Sequence, residues 1–198
     1  MSQCLNELQS ILDNNNGIIT TAQVTRAAIP RRCLAELVAA GKIYKVDRGI
    51  YARPDVWEDE MFLLQYRFSK GIFSHGTALY LHAMTDRTPH AYTMTFPHGY
   101  NAGGLKNRNV TAKYATQSIY DLGIAEISSP SGNTIRVYDI ERTLCDIVKG
   151  NNSCDIQLVN AAMKAYAVSS KKDVSKLLEC AERLRVKTKI LTYMEILL

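Results

Sequence analysis

Apolar positions recur at helical spacing from the start of the chain: Leu5, Leu8, Ile11 and Leu12 share one face, and Asn14-Asn15-Asn16-Gly17 stops the pattern. This predicts a first helix over residues 2–13. Ile18 and Ile19 form a short extended segment, after which Thr20 or Thr21 offers a hydroxyl to cap a second helix of about two turns through Ala28. Pro30 suits the first turn of a third helix, because its fixed φ is already helical and its missing N–H would have no partner there. That helix carries an apolar stripe of Leu34, Leu37 and Val38 and ends at Gly41. Ile43-Tyr44-Lys45-Val46 and Ile50-Tyr51-Ala52-Arg53 then flank the turn Asp47-Arg48-Gly49, which reads as a β-hairpin.

Three helices and a hairpin are the element order of a winged helix-turn-helix. Pro54 marks a junction after the wing, so the expected domains are residues 1–56 and 57–198. In the second part, residues 57–70 read as a helix with acidic residues in its first turn, closed by Gly71, and Ser74 caps another through Met84. Residues 90–97, 109–117, 122–128 and 133–138 read as strands. Asp139 caps a helix faced by Ile140, Leu144, Ile147 and Val148, and Ile156, Val159, Met163 and Tyr166 support a second. Ser170 with Asp173 resembles a capping box before Leu177, Leu178, Ala181 and Leu184, and Thr188 precedes a last short helix. The expected fold class is α+β: an N-terminal winged helix-turn-helix, then an α+β domain with a mostly antiparallel sheet and a C-terminal helical cluster.

Composition adds little to this picture until charge is mapped. With 198 residues, 46% apolar and 22% charged, the chain is neither disordered nor collagen-like. It lacks an apolar run of the ~18 residues needed to span a membrane, and Met1-Ser2-Gln3-Cys4-Leu5 does not read as a signal peptide, so a cytoplasmic protein without a membrane partner is expected. Cys4, Cys33, Cys145, Cys154 and Cys180 are odd in number and widely spaced, and are expected as reduced thiols. The formal charge is +5, and all of it resides between Thr20 and Arg53, where seven basic residues face only Glu36 and Asp47. A basic module on a neutral body suits a polyanion, because each cation placed on a phosphate releases condensed counterions; a merely solvated basic face is the bland alternative.

In a winged helix-turn-helix the third helix enters the major groove with its N-terminal residues leading, while the wing reaches the flanking backbone or minor groove. Arg31 and Arg32 stand at that leading end, and a helical projection puts Arg32, Glu36 and Ala39 opposite the apolar stripe. Arg32 is therefore the candidate for base-edge contact, with Arg31 beside it, Thr21, Gln23 and Arg26 in support, and Lys42, Lys45, Arg48 and Arg53 gripping the backbone.

Catalytic chemistry finds no comparable constellation. His75, His82, His90 and His98 lack metal-ligand spacing and read as satisfied polar groups. The loop from His98 through Gly103-Gly104-Leu105-Lys106 departs from a phosphate-binding loop, since no Ser or Thr follows the lysine and a strand follows the loop; its Lys106, Asn107 and Arg108 remain candidates for nucleic-acid contact. Glu126-Ile127-Ser128 ends in Ser where a nuclease strand carries Lys, and Cys145 lies mid-helix without a cationic neighbour to activate it. No catalytic residue, metal or cofactor is expected.

Three blocks carry a family resemblance: Ile43 to Tyr51, Ser74-His75-Gly76-Thr77-Ala78-Leu79-Tyr80-Leu81-His82, and Val137-Tyr138-Asp139-Ile140-Glu141-Arg142-Thr143-Leu144-Cys145-Asp146-Ile147. In order and spacing they resemble AbiEi-type antitoxins. The resemblance implies an antitoxin of a type IV toxin–antitoxin system in phage defence by abortive infection. Such a protein represses its own operon through inverted repeats in upstream double-stranded DNA and counters a nucleotidyltransferase-like AbiEii toxin without a stable complex. It makes Tyr138, Asp139, Glu141, Arg142 and Asp146, in the most specific block, a candidate antitoxicity surface. Two other readings stay open: a nucleic-acid-processing enzyme targeted by the winged helix, and a ligand-sensing repressor. Monomers binding repeats cooperatively and a preformed dimer are equally compatible with a chain that has no long heptad seam.

Overall fold

The computed structural model describes residues 3–105, 108–150 and 154–197. By compactness the chain divides into two units, Met1–Arg67 with Ser128–Ile135, and Phe68–Ile127 with Arg136–Leu198.

The first unit begins with α1 (Gln3–Asp13), β1 (Ile18–Thr20), α2 (Thr21–Arg26), α3 (Arg31–Ala39), β2 (Tyr44–Asp47) and β3 (Ile50–Ala52). The three strands form an antiparallel sheet in the order β1-β3-β2, with Ile18 opposite Ala52, Tyr44 opposite Ala52 and a bulge between Lys45 and Asp47. This is the arrangement expected of a winged helix-turn-helix. Leu8 and Leu12 of α1, Ile19, Val24, and Leu34 and Leu37 of α3 fill its core. Thr20, not Thr21, caps α2: its hydroxyl accepts from Gln23 N at 3.2 Å, and Gln23 Oε1 accepts in return from Thr20 N at 2.8 Å.

Two sequence expectations change here. Val38 is 38% exposed and Cys33 is buried in its place, because the inner face of α3 is set by Cys33, Leu34 and Leu37 against α1. Cys33 is also not a free thiol. It is disulfide-bonded to Cys4, which the packing of α1 on α3 brings next to it across 29 positions of sequence. Cys145, Cys154 and Cys180 are free.

The helix expected over 57–70 is shorter, α4 (Glu60–Arg67), and Trp57 stands outside it, 90% exposed. Asp59 stops it from starting earlier by accepting from Phe62 N at 3.1 Å. α4 lays Phe62, Leu63 and Tyr66 against Ile18, Ile50 and Ala52 of the small sheet. The compact unit therefore continues past residue 56 to Arg67.

The second unit contains β4 (Ile72–Phe73), α5 (His75–Leu81), β5 (Tyr92–Pro97), β6 (Val110–Ala115), α6 (Gln117–Tyr120), β7 (Ile124–Ser128), β8 (Thr134–Tyr138), α7 (Ile140–Val148), α8 (Ile156–Val168), α9 (Val174–Arg183) and α10 (Lys187–Leu197). The tip of the β7–β8 segment, Ser128–Ile135, counts with the first unit. The sheet order is β6-β5-β4-β8-β7. It is mixed where a mostly antiparallel sheet was expected: β4 runs antiparallel to β5, but parallel to β8, and β5 runs parallel to β6. Parallel neighbours need a long return connection, and residues 98–109 provide one between β5 and β6. The central β4 has only two residues, both fully buried, too short to leave a period in the sequence. Leu144, Met163, Tyr166, Leu177 and Ile190, each from a helix, make the second core.

Candidate nucleic-acid interface

The N-cap of α3 is Pro30, which makes no side-chain cap, and Arg31 and Arg32 occupy the first turn without an acidic residue beside them. Cations at a helix N-terminus oppose the macrodipole at a cost of roughly 0.3–1 kcal/mol each, a cost that an external anion bound there would offset. Both side chains are exposed, as are Arg26 at the end of α2, Lys42 before β2, Lys45 on β2 and Arg48 in the turn of the wing. Among the described residues none of these six side chains makes an ion pair.

The other three expected contact residues are engaged within the module. Arg53 pairs with Asp13 of α1. Gln23 spends its side chain on the α2 capping box and on Asn15, to which its Nε2 donates at 2.9 Å. Thr21 N donates to Gly49 O at 2.8 Å, which pins the wing turn to the start of α2. Gly49 has φ +78°, and a Cβ there would fall 2.8 Å from the Thr21 hydroxyl, so only glycine permits this approach. On the wing's other side Asp47 holds Arg67 of α4 at 3.1 Å. Lys106 and Asn107 lie outside the described residues.

The five residues taken as an antitoxicity surface do not form one. Tyr138, Glu141, Arg142 and Asp146 are all at most 6% exposed, and Asp139 is half-buried. The reason is tertiary: α7 packs against α5, α8, α9 and α10 at once, which buries Glu141 through Val148. Arg142 Nε donates to Asp146 at 3.0 Å, Nη1 donates to the Ile119 carbonyl and to that of Leu122 at 3.0 Å, and the guanidinium lies 4.1 Å from the centre of the Tyr138 ring. Asp139 caps α7 by accepting from Arg142 N at 2.8 Å and pairs with Lys176 at 2.9 Å. Gly123, with φ +75°, sits where a Cβ would be 2.7 Å from Arg142 Cβ. Glu141 accepts from Tyr166 Oη at 3.1 Å. Burial raises Asp146 to about 6, against the opposing pull of Arg142. Burial also pushes the Cys145 thiol up, which keeps it protonated and inert as a nucleophile.

The histidines behave as satisfied polar groups where their partners are described: His82 Nε2 meets the Tyr138 carbonyl at 2.8 Å and His75 Nδ1 meets Ser74 Oγ at 3.1 Å. Among the described residues no group of three or more His, Cys, Asp or Glu could hold a metal ion, and no helix is long and apolar enough to cross a membrane. Sequence reading did not bring together His75, Lys113, Arg142, Asp146 and Lys149, which line one cavity. They come from positions up to 74 apart, and no local spacing connects them.

A helix pair with a three-stranded wing and an exposed basic leading helix define the N-terminal module as one of the helix-turn-helix class. Residues 6–54 match the family described as "Transcriptional regulator, AbiEi antitoxin" (AbiEi_4), so the resemblance to AbiEi-family antitoxins, a family of transcriptional regulators, is shown through this module. Among curated proteins none matches the chain. Among solved structures, the crystal structure of the RV2827C protein from Mycobacterium tuberculosis is similar at 12% identity with a TM-score of 0.47, over 98% of this chain and 82% of that one.

Proposed function

We propose that the chain is a DNA-binding repressor of its own operon and the antitoxin of a type IV system acting in phage defence in the cytoplasm. Arg31 and Arg32 lead the recognition helix into the major groove of inverted repeats upstream, with Arg26 beside them. Lys42, Lys45 and Arg48 meet phosphates, while Thr21, Gln23 and Arg53 support the reading surface by holding wing, cap and α1 in place. The second unit acts against a nucleotidyltransferase-like toxin without forming a stable complex with it, and the buried network of Tyr138, Asp139, Glu141, Arg142 and Asp146 maintains the shape that this role uses. No catalytic step and no cofactor is assigned.

The observation that carries this reading is the set of six exposed cations, without an ion pair among the described residues, on one small module that matches a regulator family, two of them at a helix N-terminus where they oppose the dipole. The test is the affinity of the full chain for a duplex of its own upstream DNA against a shuffled duplex at one near-physiological salt concentration. A preference of ~10³ or more is expected of specific operator recognition. Near-equal affinities would overturn it and leave a general nucleic-acid clamp.

A further inference from the structure

In the second unit one cavity of about 320 Å³ gathers side chains from α5, β6, α7 and the segments after β5 and α7: His75, His98, Lys113, Arg142, Asp146 and Lys149. Its charges do not cancel. Arg142 and Asp146 neutralise each other at 3.0 Å, and the guanidinium spends further donors on the Ile119 and Leu122 carbonyls. The ammonium groups of Lys113 and Lys149 make no ion pair and no hydrogen bond among the described residues, so the cavity carries two positive charges beyond the Arg142–Asp146 pair.

His75 supplies a neutral donor beside them. Burial first, then the charges of Lys113, Arg142 and Lys149, bring it down to about 4, so the ring is uncharged at neutral pH. Thr95 donates to Ser74 Oγ at 2.9 Å, and Ser74 Oγ lies 3.1 Å from His75 Nδ1, to which its hydroxyl donates when the ring proton is on Nε2. In the tautomer that carries the ring proton on Nε2, that nitrogen is the donor.

Two ammonium groups, a neutral N–H donor and a buried ion pair match a doubly charged tetrahedral oxyanion. The volume lies at the small end of ligand sites, which run from roughly 300 to 1,000 Å³, and so suits a phosphoryl group with little attached. We infer that this cavity binds a phosphate dianion, either free or as the monoester of a nucleotide, on Lys113, Lys149 and His75. This site is separate from the DNA-reading module and does not depend on the repressor reading.

The test titrates the full chain by calorimetry with inorganic phosphate, AMP and adenosine at pH 7.5 and constant ionic strength. Phosphate and AMP are expected to bind and adenosine not; tighter AMP binding identifies a nucleotide, and equal affinity a free phosphate, either outcome supporting the site. The double variant Lys113→Ala/Lys149→Ala should weaken both by about tenfold or more, and Lys113→Arg/Lys149→Arg should retain binding within about threefold. Thermal unfolding of each variant confirms that it folds, and one that does not is replaced by the single Lys149→Ala, at an exposed position, for which a measurable weakening is expected. Binding of neither phosphate nor AMP, equal binding of adenosine and AMP, or undiminished binding by the alanine variant would overturn the proposal. So would a loss of duplex affinity in the alanine variant with no AMP binding by the parent, which would mean contact with a nucleic-acid backbone instead.

Discussion

The carboxylate of Asp59 accepts a hydrogen bond from Asn133 Nδ2 at 2.8 Å, although the two residues stand 74 positions apart. The same carboxylate accepts from the Ser129 hydroxyl and caps α4 through Phe62 N, so one buried acid starts a helix and fastens the 128–135 segment into the first unit. Asn133 N in turn donates to Ser129 Oγ at 3.1 Å, which closes the arrangement.

Replacing that acid leaves two buried donors and a helix end unsatisfied. Asp59→Ala should therefore lower unfolding stability by about 3 kcal/mol, measured by urea denaturation of the full chain. A loss below about 0.5 kcal/mol, the range of ordinary surface changes, would show that the 128–135 segment is held by other means.

The exposed cations of α3 and the wing make separable predictions. Arg32→Ala should cost about 1–3 kcal/mol on the operator and relax base preference, whereas Arg48→Ala should weaken all sequences alike and reduce the salt slope by ~1. Titrations at several salt concentrations on operator and random duplexes distinguish them. Equal losses on both duplexes for Arg32→Ala would remove its assignment to base readout.

Asp146 gives stability a definite pH dependence. Burial raises its folded value to about 6 from the ordinary 3.8, so between these the folded state holds more protons than the unfolded one. Stability from this group is thus fully present at low pH and is lost as pH rises through about 6. Asp146→Asn should lack this decline, so that wild type falls relative to the variant across that window in urea midpoints measured against pH. The opposite slope would mean that attraction to Arg142 outweighs burial.

Thiol titration tests the link between α1 and α3. Unfolded without reductant, the chain should show three reactive thiols, Cys145, Cys154 and Cys180, and reduction should release Cys4 and Cys33 as well. Loss of the bond is expected to destabilise the module by about 2–4 kcal/mol, read from thermal unfolding with and without reductant. Five thiols before reduction would refute the pairing.

Much of the local architecture was legible in the residues themselves. Leu5, Leu8, Ile11 and Leu12 announce α1, the Asp47-Arg48-Gly49 turn announces the wing, and four strands and the Asp139 cap fall within a few residues of where pattern and capping chemistry put them. The concentration of charge between Thr20 and Arg53 also needs no structure to be seen. These features are local: a helix face, a turn or a cap depends on neighbours within about four positions, and the sequence alone determined them. Whether a polar side chain meets water depends instead on what distant elements bring to it. Tyr138, Glu141, Arg142 and Asp146 resemble a polar surface in sequence and are buried because four other helices close over α7; Arg53 and Gln23 resemble free contact residues and are held by Asp13 and Asn15. The parallel pairing of β4 with β8, the Cys4–Cys33 bond, and the convergence of Lys113 and Lys149 on one cavity were decided by tertiary structure for the same reason, since each brings together residues whose separation along the chain carries no periodic signal.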